Sequence, residues 1–317
     1  MPTSKEFLSS TDNSTGVPTR ILGRTGQRVS ILCLGGWHIR AIKQDKDAIR
    51  IMHAAIDEGI TFFDNAWDYH DGAAEELMGK ALAMDNRRSK VFLMTKNCER
   101  DYAGSMRHLD DSLRRLKTDH IDLWQFHECN YDNDPDWIWE KGGFKAALEA
   151  RKAGKVRYIG FTGHKHPQIH LAMLKKYKNW DTAQMPINVA DAVYRSFQNE
   201  VVPVCLQQNV GVIGMKGLGG GYPKALFMSA LGISPEQCYR YCLSLPIATQ
   251  VVGMLSMAQL LQNLSIVRNF KPMSKPEREE FINKIRESCT DGRFETFKST
   301  QMHDGPHHRK QHGFAVA

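Results

Sequence analysis

Between about residue 29 and residue 268, short runs of β-branched and apolar residues alternate with longer segments whose apolar positions recur every three or four residues. The short runs predict strands at Val29–Leu34, Thr61–Asp64, Val91–Thr95, Ile121–Phe126, Tyr158–Phe161, Thr182–Pro186, Val210–Met215 and Gln250–Gly253. In the gaps, Ala48, Ile51, Met52, Ala55 and Ile56 share one helical face, and Leu109, Leu113 and Leu116 share another. No linker rich in Pro, Gly or Ser divides the series. Eight strands, each followed by a helix, close more naturally into a (β/α)8 TIM barrel than into an open α/β sheet. Leu34-Gly35-Gly36-Trp37 after the first strand also lacks the glycine spacing of an open-sheet dinucleotide turn.

The length of 317 residues suits one barrel with extensions. Residues 1–18, rich in Ser, Thr and Asn, read as a flexible leader without the apolar centre of a secretory signal. No run of about 18 uncharged apolar residues is present, so a membrane span is not expected. The seven cysteines (33, 98, 129, 205, 238, 242 and 289) are odd in number and scattered, which points to reduced thiols and a soluble, cytoplasmic chain. Cys238 and Cys242 stand four apart without a second ligand pair, so no metal site is expected. The net charge of +7 comes from basic residues interleaved with acidic ones, which fits a phosphate-bearing small ligand and not nucleic acid. His303–His312, crowded with His307, His308, Arg309 and Lys310, reads as a solvated tail in preference to a metal trap.

Barrel enzymes place their chemistry at the carboxyl ends of the strands. The polar residues there are Asp64, Lys96, His127, Thr162 and Gln184, one from each of the second to sixth predicted strands. Tyr69, five residues beyond Asp64, can fold back into the same mouth. A free tyrosine hydroxyl has a pKa of about 10, and a nearby ammonium lowers it. Lys96 is the available cation, Asp64 its partner, and His127 a hydrogen-bonding group that can orient a carbonyl.

With these residues in place, the chain resembles the aldo-keto reductases, whose pattern is Asp, Tyr five residues on, then Lys and His at the next two strand ends. The resemblance runs over roughly residues 19–270. It starts at Thr19-Arg20-Ile21-Leu22-Gly23-Arg24-Thr25-Gly26, similar to the family's opening hairpin. It then takes in Gly79-Lys80-Ala81-Leu82, Leu116–Leu123, Gly154–Gly160 and the helix around Gln259 and Asn263. Phe161-Thr162-Gly163-His164 marks a divergent, bacterial-type subgroup. The resemblance implies a barrel with an N-terminal hairpin at 19–270 and a C-terminal extension at 271–317, partly helical and then either disordered or covering the site. It also implies reversible reduction of an aldehyde or ketone, with Asp64, Tyr69, Lys96 and His127 catalytic and Tyr69 the general acid/base.

For the cofactor, Met215-Lys216-Gly217-Leu218-Gly219-Gly220-Gly221 after the seventh strand reads as a phosphate loop. The resemblance adds Gly36, Trp37, Asp64 and Gly163 to the cofactor site, with Gln184 and Thr162 on the nicotinamide carboxamide and Gln259, Gln262 and Asn263 at the adenosine end. It favours NADPH, with NADH as the alternative. Three departures stand out: Met215 where the family often stacks a tyrosine, Gly163 where an Asn often follows, and Gln259 where many members have an arginine. Trp37, His38, Trp67 and Glu128, with Tyr131 and Trp137 beyond them, are expected to line the substrate pocket. Glu128 either bonds a hydroxylated substrate or sits in solvent. The expected partner is a small carbonyl or alcohol, with no nucleic acid or membrane, in a monomer or small homo-oligomer. Competing functions on the same residues are a non-catalytic nucleotide-binding subunit and an aldolase forming a Schiff base at Lys96.

Overall fold

A computed structural model describes residues 10–11, 15–220 and 230–316. The expected leader therefore falls partly outside the described residues, as does Gly221 of the glycine run. Ser10–Thr11 (β1), Pro18–Ile21 (β2) and Arg28–Ser30 (β3) make a small antiparallel sheet. The barrel strands are β4 (Leu32–Gly35), β5 (Phe62–Asp64), β6 (Phe92–Asn97), β7 (Ile121–Phe126), β8 (Val156–Thr162), β9 (Thr182–Pro186), β10 (Gly211–Met215) and β11 (Thr249–Val252). They pair in parallel and close in the order β10-β11-β4-β5-β6-β7-β8-β9. Among the described residues no helix is long and apolar enough to cross a membrane.

The predicted strand Val29–Leu34 is two strands. Val29 and Ser30 pair with Arg20 and Thr19 in the small sheet, and the chain enters the barrel only at Leu32. Ser30 and Thr61 exchange side chain to backbone hydrogen bonds of 3.1 and 3.0 Å at the corner. Alternating hydrophobicity cannot separate two consecutive strands that belong to different sheets. Leu22 and Val29 of the hairpin pack with Cys33, Phe62, Phe92, Met94, Leu123 and Ile213, the filling of the barrel. Gly23, at φ 50°, presses against Gly211, the first residue of β10, so the hairpin seals the amino ends of the strands. The opposite end is left for chemistry.

The helices follow the apolar periodicity. Asp45–Asp57 buries Ala48, Ile51, Met52, Ala55 and Ile56. Tyr102–Leu116 buries Leu109 and Leu116 and is capped by the Asp101 carboxylate, which accepts from Gly104 N at 2.8 Å. It ends where Lys117 turns left-handed at φ 53°.

One buried side chain ties a helix to the barrel wall with a consequence for stability. His170, fully buried on Pro167–Lys176, donates from Nε2 to the Gln184 carbonyl at 3.0 Å. Burial lowers its pKa to about 4. The unfolded chain takes up this proton near pH 6.5 and the folded chain resists until about 4, so the contribution is complete above 6.5 and is lost as the pH falls through that window. Between pH 6.5 and 5 the loss from this residue is about 2 kcal/mol. Urea unfolding at the two pH values should show it, and His170→Asn should have a flatter pH dependence; an unchanged slope would refute the assignment.

Candidate active site

The loop after β5 and the ends of β6 and β7 bring the expected quartet together. Lys96 reaches across from β6 to form an ion pair with Asp64 at the tip of β5, and it donates to the Asn65 carbonyl at 2.6 Å and to Tyr69 Oη at 3.2 Å. Asp64 and Lys96 are 3% and 1% exposed, so the pair is held in a nearly dry site. Tyr69 is fixed edge-on between Trp37 at 5.3 Å and His127 at 5.6 Å between ring centroids. Directly after it the backbone is left-handed at His70 and Asp71, with φ of 51° and 55°, which turns the chain into the helix Ala73–Leu82.

The electrostatics differ from the expectation at Tyr69. Burial, followed by the carboxylates of Asp64, Asp68 and Glu128, pushes the hydroxyl well above its usual range, and Lys96 does not offset them. The phenol is therefore held protonated. Burial likewise raises Asp64 against the pull of Lys96. Burial lowers His127 although Asp68 works the other way, so the neighbouring pair is a neutral imidazole beside a charged carboxylate. Asp68 Oδ1 stands 3.1 Å from His127 Nδ1.

The C-terminal extension, far from a solvated tail, closes over this mouth. Pro306–Gln311 is a helix and His308 within it is 1% exposed. Glu128, at φ 46°, accepts from Gly305 N at 3.0 Å, so its carboxylate is engaged by the chain itself. Asp304 accepts from Tyr131 Oη at 2.6 Å, pairs with Lys165 at 2.9 Å and lies 3.3 Å from His164 Nε2. Further back, the buried Lys298 ammonium bridges Asp191 at 2.7 Å and Glu295 at 2.8 Å. Local composition reads as solvated because the charges here find their partners on distant strand ends. Asp304→Ala removes three of these anchors at once and should cost about 1–3 kcal/mol for the partners left behind. Limited proteolysis should then cut between residues 299 and 316, sites that wild type protects; equal resistance would show that Asp304 does not hold the segment.

The expected pocket residues do not all face the mouth. Trp37 remains at the mouth, 43% exposed. Trp67 instead stacks on His108 at 3.6 Å and donates to Asp111, and Trp137 stacks on His312 at 4.9 Å. His38 packs against Gly253, and burial followed by Lys216 lowers its pKa to about 4.

On the cofactor side, Thr162 and Gln184 are register neighbours on β8 and β9. Gln184 Oε1 is buried without a hydrogen-bond partner among the described residues, an orphaned acceptor suited to a carboxamide NH2. A Cβ on Gly163 would overlap the Cys129 carbonyl oxygen, which explains why no side chain stands there. Gly36 is similarly confined, its would-be Cβ 2.7 Å from the Asp64 carbonyl oxygen. Lys216, at φ 57°, points into the mouth over Phe297, in the field of Glu128, Lys96 and Asp304. Met215 and Leu218 are half-buried, while Gly217 and Gly219 are buried. At the far end, Asn263 is buried on the helix Met257–Arg268, Gln262 is exposed, and Gln259 accepts from Leu255 N at 2.7 Å.

Asp68 and Cys98 are absent from the expected site residues, and His308 enters only within the crowded tail, where a metal trap is set aside for solvation. Asp68 sits one residue from Tyr69, and Cys98 lies two residues beyond Lys96, a spacing that can return a side chain to the same side at a strand end. The signal at His308 is the crowding of histidines between residues 303 and 312.

The family model described as Aldo/keto reductase family matches residues 31–226. Among curated proteins, an uncharacterized oxidoreductase of Bacillus subtilis is 37% identical over 224 residues, covering 63% of this chain and 66% of the relative. A 6-dehydroglucose reductase of Novosphingobium aromaticivorans is 31% identical over 220 residues, covering 64% and 69%. The chain spans just under two thirds, 64–66%, of the length of the first curated relatives it matches. Among solved structures, the holo form of an aldo-keto reductase from Bacillus halodurans superimposes with a TM-score of 0.72 at 25% identity, covering 88% of this chain and 99% of that one.

Proposed function

Given that this chain belongs to the aldo/keto reductase family, a family of oxidoreductases, we propose that it reduces a small, hydroxylated aldehyde or ketone with a reduced nicotinamide dinucleotide, NADPH by preference. The observation that carries the reading is the buried chain Asp64–Lys96–Tyr69, which ends at a hydroxyl in the barrel mouth. The orphaned Gln184 amide oxygen, with Thr162 beside it, supports a nicotinamide carboxamide at the ends of β8 and β9. Gly217 and Gly219 would admit a phosphate to the backbone, and Asn263 would meet the adenosine end. When bound, the cofactor supplies hydride to the carbonyl carbon.

The protein's part is position and proton supply. Tyr69 gives its hydroxyl proton to the carbonyl oxygen as the new C–H bond forms, so the product is the neutral alcohol. The Lys96 ammonium, 3.2 Å from Tyr69 Oη, stabilises the phenolate left behind until solvent returns a proton. Asp64 holds Lys96 in place, and His127 orients the substrate carbonyl at the mouth. The surroundings favour a hydroxylated substrate, because Asp64, Asp68 and Glu128 act on the Tyr69 hydroxyl and Lys216 lies in the field of Glu128 and Asp64, while Trp67 and Trp137 stack on His108 and His312. The name of the Novosphingobium relative, a 6-dehydroglucose reductase, leans the same way.

Titration of the intact chain with NADPH and NADH by fluorescence quenching, followed by hydroxylated and purely apolar carbonyl compounds, tests this. Tighter NADPH binding and a higher kcat/KM for the hydroxylated set are expected. Turnover confined to apolar aldehydes would reject the substrate class.

A further inference from the structure

Beside Tyr69, around His127, four metal-ligating side chains from four separate parts of the chain converge. Asp68 comes from the loop after β5, Cys98 and His127 follow β6 and β7, and His308 comes from the helix Pro306–Gln311. One donor atom from each lies within 4.8 Å of all the others. His127 Nδ1 is 3.1 Å from Asp68 Oδ1 and 3.5 Å from Cys98 Sγ. A tetrahedral ion with bonds of about 2.0–2.3 Å sets its ligands about 3.3–3.8 Å apart, so the two His127 pairs already match it and any other pair closes by at most about 1.5 Å.

The hydrogen bonding also points to a missing partner. His308 is 1% exposed, and neither of its ring nitrogens has a hydrogen-bond partner among the described residues. Asp68 Oδ1, also buried, faces the His127 ring nitrogen at 3.1 Å. Buried imidazole nitrogens left open are costly, and a cation would satisfy one of them together with the Asp68 carboxylate.

We propose that Asp68, Cys98, His127 and His308 bind one divalent cation of the zinc class, which clasps the C-terminal segment to the barrel mouth. A thiolate with two imidazoles and one carboxylate suits zinc or cobalt and does not suit magnesium or calcium, which take oxygen ligands. Charge closes as well: one carboxylate and one thiolate balance a 2+ ion between two neutral imidazoles. Binding releases the Cys98 thiol proton to solvent and forms the metal–sulfur bond, without any redox change.

Two consequences follow. The ion would tie together the loop that carries Tyr69, two strand ends and the tail. It would also occupy His127 Nδ1 and so move the ring proton to Nε2, where it can be donated to the substrate carbonyl. That second consequence rests on the proposed reductase reading, whereas metal binding itself does not.

The test is metal content of the full chain after zinc loading and exhaustive dialysis, with cobalt substitution as a spectroscopic probe. One zinc per chain is expected, and the cobalt form should show a thiolate charge-transfer band. His308→Gln should weaken zinc binding at least tenfold, and Cys98→Ser should abolish the band, with circular dichroism confirming that both variants are folded. His307→Gln should keep the ion, since His307 belongs to the neighbouring group with Glu99 and His108. A folded wild-type chain that retains no zinc overturns the proposal. So does zinc retained undiminished by His308→Gln, or lost equally in His307→Gln. Each readout stands whether or not the chain reduces a carbonyl, so failure of the metal site and failure of the reductase reading are separable.

Discussion

Tyr69→Phe should lower kcat for carbonyl reduction by about 10²–10⁴, the range supplied by a positioned general acid, and leave cofactor affinity within about twofold. The substitution removes one oxygen. The ring keeps its edge contacts to Trp37 and His127, and Lys96 keeps Asp64 and the Asn65 carbonyl. Stability should therefore change by less than about 1 kcal/mol, as expected when a modest hydrogen bond is lost. Turnover near that of wild type would remove Tyr69 from the mechanism. Loss of cofactor binding would instead mean that the hydroxyl is part of the cofactor site.

Lys96→Met carries the second large effect, and it acts on two measurements. It takes the cation from the phenolate, so kcat/KM should fall by about 10²–10³, in line with the removal of one preorganised electrostatic group. It also leaves Asp64, 3% exposed, charged and unpaired, and breaking a buried pair from one side costs about 3–5 kcal/mol. Asp64→Asn in the same chain should recover much of the stability by removing the stranded charge, while activity stays low. Recovery of both would show that Lys96 serves folding alone, and recovery of neither would show that the loss lies elsewhere. A borohydride-stable adduct at Lys96 with a carbonyl substrate would favour the aldolase chemistry.

The barrel was legible in the sequence wherever a strand or helix has one chemical face. The Ala48–Ile56 stripe and the run Ile121–Phe126 reappear as drawn. The expected strand Val29–Leu34 divided because periodicity records burial and not the identity of the sheet. The quartet was legible because barrel topology sends every strand end to the same mouth, so Asp64, Lys96 and His127 needed only their order. The ionisation of Tyr69 was not, because it depends on how much water the site keeps and on Asp68 and Glu128, which no pairwise argument from Lys96 includes. The solvated reading of the tail fails for a similar reason. Asp304, Gly305 and His308 meet Glu128, Tyr131, His164 and His127 across 140 or more residues, and nothing in a run of His, Arg and Lys announces such partners.

These contacts give the mouth a character of its own. Trp37 is the aromatic surface left beside Tyr69, and Glu128 spends its carboxylate on Gly305 N. The C-terminal segment thus forms one wall of the site, and its seating should affect substrate affinity more than the chemical step.

Carbonyl reduction at Tyr69 should be visible in single-turnover oxidation of bound NADPH. With the intact chain in excess over NADPH, addition of a hydroxylated aldehyde should speed the loss of reduced-nicotinamide absorbance and yield one equivalent of alcohol, and Tyr69→Phe should bind the cofactor without doing so. Slow oxidation of bound NADPH that no carbonyl compound accelerates, identical in wild type and Tyr69→Phe, would contradict the account and identify the chain as a nucleotide-binding subunit.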